Sequence, residues 1–379
     1  MNIGLDITAL IYQRGVSRYT ANLARAIISY TNHQLFLYGS SFRSKWLLTK
    51  SAQELISNNT SHDYKIQILP PSFNQILWKV GLNPIGKHFP DLDVFHSWDW
   101  MQPPDKNLPL VSTIHDLSIL KYPDTAHPKI VKAHKRCWQQ LKDRKAHIIA
   151  VSQATKKDVV KLLGFPNWRV HVVPEALPTE IVDIGNQLEE IEVDLVIDKF
   201  QLHKPFILFV GVQEPRKNLE RLIKAWQPFS KQVELLVVGD QGWGDNKYAK
   251  IPHLRFLGRV TDKELCVLYT EAEIFAYPSL YEGFGLPILE AFHHGTPVIT
   301  SDLSAMIEVA GNAAEFVDPK NTASIGKAIE KILNEDEAEQ KKRLQRMVIR
   351  KQMFDWQKVA GQTIKVYQKA IEDFNNQDS

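Results

Sequence analysis

Short apolar runs alternate with stretches of helical spacing along this chain, and the alternation occurs twice. The candidate strands of the first half are Asn2–Asp6, Gln34–Tyr38, Val94–Ser97, Leu110–His115, His147–Val151 and Val170–Val173. Those of the second half are Phe206–Val210, Glu234–Val238, Leu254–Phe256, Ile274–Tyr277, Val298–Thr300 and Ala314–Phe316. Because neighbouring parallel strands need a crossover, usually a helix, the pattern predicts an α/β protein with two mostly parallel sheets and helices on both faces.

An interruption of this alternation of strands and helices separates the two halves. Pro174, Pro178 and an acidic, Ile-rich stretch interrupt the alternation. The tail from about Trp356 to Phe374 has the spacing of one more amphipathic helix. We therefore expect an N-terminal domain, a linker and a C-terminal domain, with the bounds 1–175, 176–203 and 204–355.

The composition is that of an ordinary globular protein. Of the 379 residues, 44% are hydrophobic and 23% are charged. No apolar run approaches the roughly 18–20 residues that cross a membrane. The first residues read as a strand and lack the basic-then-apolar pattern of a signal peptide. Cys137 and Cys266 form neither a metal motif nor a disulfide framework. These features predict a cytoplasmic protein.

The charge is divided unequally along the chain. Residues 1–175 contain 22 Lys and Arg against 12 Asp and Glu, whereas the remainder contains 24 against 31. The predicted helix over 128–144 is dense in cations beside an apolar stripe. Packing against a sheet accounts for the stripe, and contact with anionic lipid accounts for the charge, at about 1 kcal/mol per Lys or Arg. We expect an acceptor-facing or membrane-facing surface that includes Lys129, Lys132, Lys135 and Arg136.

Two carboxylates eight residues apart flank a glycine loop in the second half. Glu282 follows the predicted strand over 274–277, and Glu290 lies about one turn into a predicted helix over 286–294. Ligands of open α/β sheets bind beyond the carboxyl ends of the strands. Free helix N–H groups attract phosphate there, and a carboxylate accepts hydrogen bonds from sugar hydroxyls. A nucleotide sugar carries both groups, so this segment predicts a site for one.

Two adjacent cations lie on another loop of the second half. Arg216 and Lys217 follow Gly211 and come just before a helix predicted to begin at about Asn218. Cations beside a helix N-terminus favour binding of a diphosphate. A solvated basic pair on a loop is the alternative, and the strand–loop–helix context favours the diphosphate.

Two loops of the first half are weaker candidates. His115 ends a strand beside Asp116, where it can contact a sugar hydroxyl or transfer a proton, or can be a hydrogen-bonded structural residue. Gly15 lies in a turn that opens the first helix, where N–H groups can face a phosphate. A single glycine does not match the GxGxxG signature of a dinucleotide site. We therefore do not expect NAD binding.

No metal site is expected. Asp91-Leu92-Asp93 has the DxD form that binds divalent metals in some sugar transferases. It precedes its strand and so lies at the wrong end of the sheet for a ligand. No other carboxylate cluster suggests a metal.

With these motifs the chain resembles glycosyltransferase family 4, a retaining group with the GT-B fold, and most of all its bacterial mannosyltransferases. The motifs that carry the resemblance cover most of the chain: Arg14–Thr20, Ile114–Leu117, Ala150–Thr155, Val172–Pro174, Gly211–Asn218, Phe256–Val260, Tyr277–Thr300 and Glu308–Gly311. The two-glutamate block over 277–300 is the most specific. Two positions depart from the family pattern: Ser17 replaces a common second glycine, and Glu175-Ala176 replaces a common Asn-Gly.

The resemblance implies a fold and a set of site residues. It implies two Rossmann-like domains facing across a cleft, with the C-terminal helix over 356–379 crossing back to the first. The first domain would bind the acceptor and the second the nucleotide sugar. The implied catalytic residues are His115, Arg216, Lys217 and Glu282. The implied donor-binding residues are Gly15, Gly211, Arg216, Lys217, Arg259, Val260, Glu282, Gly283, Phe284, Gly285, Leu286 and Glu290.

Individual roles follow from the same resemblance. Arg216 and Lys217 would bind the diphosphate, Glu290 the ribose hydroxyls, and Glu282 the donor sugar. Arg259 and Val260 would lie beside the base, and His115 near the transferred sugar.

The expected activity is retaining transfer of a hexose, with mannose from GDP-mannose as first choice. The acceptor would be a saccharide or a polyprenyl-linked saccharide, at the inner face of the membrane. We expect no cofactor, no metal and no nucleic acid partner. Three alternatives remain: a UDP-sugar donor carrying glucose, galactose or an N-acetylhexosamine, a sugar-nucleotide 2-epimerase, or a non-catalytic nucleotide-sugar-binding protein.

Overall fold

The computed structural model describes residues 1–12, 15–56, 61–240, 248 and 250–376. The strands are β1 (Asn2–Asp6), β2 (Gln34–Ser40), β3 (Asp63–Gln67), β4 (Val94–Trp98), β5 (Leu110–Ile114), β6 (His147–Ala150), β7 (Val170–Val172), β8 (Phe206–Val210), β9 (Glu234–Val238), β10 (Leu254–Gly258), β11 (Ile274–Tyr277), β12 (Val298–Ser301) and β13 (Glu315–Val317). The α-helices are α1 (Gly15–Tyr30), α2 (Lys45–Ile56), α3 (Pro71–Lys79), α4 (Ser118–Lys121), α5 (Pro128–Asp143), α6 (Gln153–Asp158), α7 (Thr179–Gln187), α8 (Glu190–Phe200), α9 (Leu219–Trp226), α10 (Asp262–Glu271), α11 (Leu286–His294), α12 (Ala305–Ala310), α13 (Thr322–Leu333), α14 (Glu337–Lys351) and α15 (Trp356–Asn375). Gln13 and Arg14, which open the first predicted motif, lie outside the described residues.

The chain folds into two compact units. The first unit comprises Met1–Glu175 and Asp355–Ser379, and the second comprises Ala176–Phe354. The first unit contains a sheet of order β3-β2-β1-β4-β5-β6-β7, and the second a sheet of order β10-β9-β8-β11-β12-β13. The strands within each sheet pair in parallel. The prediction of two mostly parallel sheets is confirmed.

Both sheets reverse their strand order at one point. In the first unit the reversal lies between β1 and β4, and in the second unit between β8 and β11. Loops that leave the carboxyl ends of two such strands run in opposite directions and open a crevice, where ligands of doubly wound sheets bind. The order therefore marks one candidate binding edge in each unit.

The core of the second unit fixes the helix that follows β8. Leu222 and Trp226 of α9 are fully buried, and the Trp226 Nε1–H donates to the Val233 carbonyl over 2.8 Å. Each large apolar side chain contributes about 1.5–3 kcal/mol when it is removed from water. Anchoring α9 on the sheet holds the start of this helix, and with it the preceding loop, at the carboxyl edge.

The final helix belongs to the first unit, as the family resemblance implied. Within that unit α15 packs against α1 and the central strands. The Tyr367 hydroxyl lies 2.7 Å from His96 Nδ1, and the Arg169 guanidinium lies 2.8 Å from the Asp373 carboxylate. These two polar contacts and the buried face of α15 fix the helix on the first sheet.

The predicted linker is wrong. Residues 176–203 belong to the second unit and contain α7 and α8. Pro178 precedes the first turn of α7, and Glu189 and Glu192 form a capping box at the start of α8. The isoleucine-rich pattern is an amphipathic one, because Ile181 is buried against α10, where the Cys266 Sγ–H contacts the Ile181 carbonyl. Proline and acidic residues here begin helices.

Other elements also escaped the sequence analysis. β3 is an edge strand with five polar or half-buried residues, so its sequence lacks the apolar run of a central strand. The sequence analysis also did not predict the helices α2, α3, α8 and α14. Among the described residues, no helix is long and apolar enough to span a membrane.

Candidate active site

The loop after β8 begins at the point where the second sheet reverses its strand order. Gly211, the first residue of this loop, has φ +154°, and Gly239 after β9 has φ +131°. A Cβ atom on Gly239 would lie 2.3 Å from the Gly211 carbonyl oxygen. Glycine at position 239 therefore allows the ends of β8 and β9 to approach each other closely.

Asn218 connects the loop after β8 to the loop after β11. Its backbone is left-handed, with φ 63°, and its Nδ2 donates to the carbonyls of Pro278 (2.9 Å) and Pro319 (2.7 Å). The Leu280 N–H donates to the Arg216 carbonyl over 2.7 Å. The short 3₁₀ turn Pro215–Lys217 is thereby held against the carboxyl end of β11.

Arg216, Lys217 and Glu282 form a buried ionic cluster across these two loops. Arg216 Nη1 and Lys217 Nζ each lie 2.8 Å from a different oxygen of the Glu282 carboxylate. The three side chains are 14%, 11% and 8% exposed, respectively. Glu214 accepts from Arg216 Nε, and the Tyr277 hydroxyl lies 2.8 Å from Lys217 Nζ. Both cations are thus fixed in position by protein groups.

The electrostatics keep this cluster ionised. Burial alone raises the pKa of Glu282, but the charges of Lys217 and Arg216 outweigh it and lower the pKa below its usual value. Burial, followed by the charge of Glu282, raises the pKa of Tyr277 well above its usual value, so this group is a neutral hydroxyl. The cluster therefore presents two cations of fixed orientation, whose charges are balanced by the carboxylates of Glu282 and Glu214.

The helix α11 starts immediately after this cluster. Gly285 precedes its first turn with φ +116° and, as a glycine, has no side chain with which to cap the helix. Gly283 and Phe284 precede Gly285 in the same loop, which continues into α11 at Leu286. The N–H groups at such a helix start attract anions.

Glu290 lies in the second turn of α11 and has a partner different from that of Glu282. It is 7% exposed and accepts a hydrogen bond from the Tyr269 hydroxyl over 2.9 Å. The predicted pair of glutamates is thus divided between two environments. Glu282 contacts cations, and Glu290 contacts a tyrosine of α10.

Arg259 and Val260 follow β10 at the same edge of the second sheet. The Gly239 N–H donates to the Gly258 carbonyl over 2.8 Å, which ties the ends of β9 and β10 together. Arg259 is 74% exposed and pairs with Asp240, while Val260 is half-buried. These two residues therefore lie at the periphery of the edge that carries the ionic cluster.

His115 and Gly15 lie in the first unit. His115 follows β5, with Nδ1 2.6 Å from the Glu175 carboxylate and the ring edge-on to Tyr19 at 4.7 Å. Burial alone lowers the pKa of His115, but the hydrogen bond and charge of Glu175, with Asp99 and Asp116, outweigh it and raise the pKa. Gly15 begins α1 with open space where a Cβ would be. Among the described residues, no neighbour of Gly15 requires a glycine at this position.

Glu175 is a site residue that the sequence analysis did not assign. The sequence signal was the departure from the Asn-Gly pattern at 175–176. The carboxylate is 8% exposed, and its contact with His115 Nδ1 fixes which ring nitrogen faces away from it. Sequence alone could not place it beside a histidine 60 residues away.

The pair of His115 and Glu175 predicts a pH dependence. Because the pKa of His115 is raised above its ordinary value of 6.5, the stabilisation of the folded state by the His115–Glu175 contact is fully present at pH values below 6.5. It is lost as the pH rises through the folded-state pKa. We expect a Glu175→Gln variant to have a lower His115 pKa by NMR titration. Its deficit in unfolding free energy should be largest at acidic pH and should shrink as the pH rises.

Glu54→Gln provides the control for this titration, because Glu54 is an exposed carboxylate of α2 paired with Lys50. It should leave the His115 pKa unchanged. An identical His115 pKa in the wild type and the Glu175→Gln variant would contradict the electrostatic account of this pair.

The predicted basic surface lies on α5. Lys129, Lys132, Lys135 and Arg136 are exposed, whereas Cys137, Trp138 and Leu141 are buried. The helix is therefore amphipathic, and its apolar stripe is explained by packing. The exposed cations have no such structural explanation.

The described residues contain no group of His, Cys, Asp and Glu side chains suited to a metal ion. Asp93, from the DxD motif, accepts the Asn2 N–H over 2.7 Å and so supports the start of β1. This contact is at the amino end of the strand, away from the carboxyl edge.

The two halves of the chain match two different protein-family models. The family model for Glycosyltransferase Family 4 matches residues 13–181, and that for Glycosyl transferases group 1 matches residues 192–349. An O-antigen chain mannosyltransferase B of Escherichia coli is 32% identical over 270 residues, which cover 68% of this chain and 69% of that protein.

Solved structures match over nearly the full length. A sucrose-phosphate synthase from Thermosynechococcus elongatus superposes with a TM-score of 0.70 at 17% identity, covering 98% of this chain and 100% of that one. The Anabaena protein HepE in complex with UDP and glucose gives 0.66 at 16% identity, covering 97% and 99%. These similarities confirm the predicted GT-B fold class with two Rossmann-like domains.

Proposed function

Because the chain belongs to glycosyltransferase family 4, we propose that it transfers a hexose from a nucleoside diphosphate sugar with retention of anomeric configuration. GDP-mannose is the proposed donor, and a saccharide or lipid-linked saccharide is the proposed acceptor. The observation that carries this proposal is the buried cluster of Arg216, Lys217 and Glu282 at the strand reversal of the second unit. It places two fixed cations where a diphosphate is expected in such a sheet.

The two cations would stabilise the leaving diphosphate. As the bond from the anomeric carbon to the β-phosphate oxygen breaks, negative charge develops on the diphosphate. Arg216 and Lys217 are held by protein contacts before the donor binds, so little reorganisation is needed when that charge appears. Glu282 orients both cations, and this position also lets it contact the donor sugar.

The remaining groups of this edge would bind the rest of the donor. The segment Gly283–Leu286 at the start of α11 would contribute backbone N–H groups that bind phosphate or sugar oxygens. Glu290 would accept hydrogen bonds from ribose hydroxyls. Gly211 keeps the loop beside the phosphates free of a side chain, and Arg259 and Val260 would lie near the base.

Retention is proposed to follow from attack on the same face as the leaving group. The acceptor oxygen bonds to the anomeric carbon while the carbon–oxygen bond to the diphosphate breaks. The acceptor hydroxyl proton passes to the departing phosphate oxygen. This balance needs no cofactor and no metal, because the cations provide the charge stabilisation that a metal provides elsewhere. His115 would contact the transferred sugar.

The name of the Escherichia coli relative supports mannose, and the Anabaena structure with UDP and glucose keeps a UDP-sugar as the second candidate. A thermal-shift screen separates them. We expect GDP-mannose to raise the melting temperature more than UDP-glucose, UDP-galactose or UDP-N-acetylglucosamine. A ligand present at 100 times its Kd stabilises the folded state by about 2.7 kcal/mol.

Lys224→Ala is the matched control for this screen, because Lys224 is an exposed cation on α9. It should keep the full shift, whereas Lys217→Ala should lose most of it. The absence of a shift with every nucleotide sugar would overturn the proposed function. A larger shift with a UDP-sugar would identify that UDP-sugar as the donor and would leave the proposed transfer reaction unchanged.

We further propose that the first unit contacts an anionic membrane surface. Besides the cations of α5, neighbouring α3 exposes Phe73 (47%), Ile76 (53%) and the following Val80 (64%). The two helices are adjacent, since Gln75 Nε2 lies 4.0 Å from Cys137 Sγ. Apolar groups beside cations suit the interface of an anionic bilayer.

Liposome sedimentation tests the membrane contact. We expect the protein to sediment with liposomes containing anionic lipid and to be released by salt, because screening weakens the attraction. A Lys132→Glu, Lys135→Glu double variant should bind less. Equal binding to neutral liposomes would contradict an electrostatic contact.

A further inference from the structure

Two helices of the second unit lie in the same outer layer and expose apolar side chains. α8 packs against α10, α14 packs against α11, and α10 and α11 pack against each other. Both helices therefore cover the same face of the second sheet. Exposed apolar groups rimmed by charges are typical of an interaction surface on a soluble protein.

The exposed face of α8 combines apolar and acidic side chains. Ile191 and Leu195 are 65% and 64% exposed, and Asp194 and Asp198 are exposed as well. The spacing 191, 194, 195 and 198 places the four side chains on one face of the helix. Neither aspartate forms an ion pair with another described residue. This face therefore carries two uncompensated negative charges beside two aliphatic groups.

The exposed face of α14 combines apolar and basic side chains. Leu344 and Val348 are 44% and 48% exposed, and the adjacent Ile349 is 64% exposed. Lys341 is exposed on the same face, one turn before Leu344. It forms no ion pair with another described residue. The charge on this face is therefore opposite to the charge on the face of α8.

The opposite sides of both helices are buried within the second unit. Val196 of α8 is 6% exposed, and Met347 of α14 is fully buried. The Arg343 Nε–H of α14 donates to the Glu335 carboxylate over 3.0 Å. Packing within the chain therefore accounts for the inner sides of the two helices and leaves their exposed apolar faces unexplained.

The two exposed faces match each other when the helices run antiparallel. The apolar and charged positions of α8 follow at intervals of four and three residues, and those of α14 follow at the same intervals in the reverse direction. Because both helices rise by about 1.5 Å per residue, three pairs of side chains then lie level. The level pairs are Ile191 with Val348, Leu195 with Leu344, and Asp198 with Lys341. In a parallel alignment Lys341 would lie level with Leu188 instead.

We propose that a second copy of this chain covers these faces, with α8 of each copy packed antiparallel on α14 of the other. The contact buries the exposed aliphatic side chains and pairs Asp198 with Lys341 of the other copy. Because both helices lie on the same face of the sheet, a two-fold axis brings both into contact at once and closes the assembly as a dimer. Two such contacts double the buried area, and stable interfaces bury about 1,200–2,000 Å² in total. The inference is independent of the proposed function, because it uses no residue of the candidate active site.

Sedimentation velocity and light scattering on the full chain test this pairing. We expect the wild type to be a dimer at micromolar concentration. Leu195→Glu should raise the dissociation constant of the dimer by about 100-fold or more, because it places an unpaired charge in the apolar centre of the contact and does so twice. Val348→Glu should have the same effect from α14, and it provides a second variant should Leu195→Glu fail to fold.

Charge reversal tests the antiparallel alignment. Asp198→Lys brings a cation to Lys341 of the other copy, and Lys341→Asp brings an anion to Asp198, so each single variant should weaken the dimer about tenfold or more. The double variant restores opposite charges and should dimerise within about threefold of the wild type. A lysine in the last turn of α8 is favoured by the helix dipole, so Asp198→Lys should remain folded.

Two matched variants control for the added charge. Glu330→Lys reverses an exposed carboxylate of α13, a helix that packs against α9. Leu162→Glu changes a leucine of the first unit that is 44% exposed, the same exposed fraction as Leu344. Both variants should dimerise like the wild type. Circular dichroism should give the folded fraction of every variant.

Three results would contradict the pairing. A wild type that stays monomeric at about 100 μM would overturn it. An assembly larger than a dimer would also overturn it, since a two-fold contact closes at two copies. A double charge reversal that dimerises no better than either single variant would show that Asp198 and Lys341 do not meet, and would overturn the antiparallel contact of α8 with α14.

Discussion

Replacing Lys217 or Arg216 with alanine is expected to lower donor turnover by about 100-fold or more, the usual cost of losing a positioned charge stabiliser. Both cations contact Glu282 at 2.8 Å and are largely buried, so water cannot replace the missing charge. Steady-state release of the nucleoside diphosphate measures the effect. The decrease should be mainly in kcat, because the charge develops in the transition state.

Stability must be separated from chemistry in these variants. Removing one cation leaves Glu282 buried with a single remaining partner, which can cost about 3–5 kcal/mol. Turnover should therefore be normalised to the folded fraction, measured by circular dichroism. Lys224→Ala, an exposed cation one turn along α9, should retain normal turnover and stability. Near-normal turnover in both Arg216→Ala and Lys217→Ala would remove these residues from the mechanism.

A large loss of stability is also expected from Gly239→Ala. Its added Cβ would lie 2.3 Å from the Gly211 carbonyl oxygen, and its φ of +131° is unfavourable for alanine. The contact is with backbone, which cannot rotate away, so β8 and β9 must separate at their carboxyl ends. We expect the free energy of unfolding to fall by about 3 kcal/mol or more, in the range of strong backbone and overpacking effects.

Gly361→Ala is the matched control for this glycine. Gly361 lies in α15, and none of the described residues outside its own helix turn comes within 4 Å of an added Cβ, so alanine should be neutral or stabilising there by up to about 1 kcal/mol. Denaturant unfolding compares the two variants. If Gly239→Ala unfolds at the same midpoint as the wild type, the close approach of the two loops does not constrain the fold.

The elements that the sequence predicted are those with a strong local pattern. β8 is a continuous apolar run, and α11 has Pro287 in its first turn and Gly295 as its C-cap, so the predicted bounds of both agree with the observed ones. β3 was missed because an edge strand with one half-buried face has little apolar signal. Residues 176–203 were misread because their prolines and acids were taken to interrupt structure, whereas they begin helices.

The candidate site shows the same limit. The sequence placed Arg216 and Glu282 on separate loops, each at a strand end, and these locations are observed. Their contact with each other was not predictable, since it depends on β8 and β11 being neighbours in the sheet. The contact of Glu175 with His115 likewise depends on tertiary positions. Sequence patterns indicate the edge where groups lie, and packing decides which of them meet.

We propose that the carboxyl edge of the second unit binds a nucleotide sugar through Arg216 and Lys217 and activates it without a metal. The most direct measurement is chromatographic detection of GDP released from GDP-mannose in EDTA, with the wild type and Lys217→Ala compared at equal folded concentration. We predict release by the wild type and a decrease of about 100-fold or more in the variant. Release that is equal in both proteins, or a requirement for divalent metal in the wild type, would contradict the account.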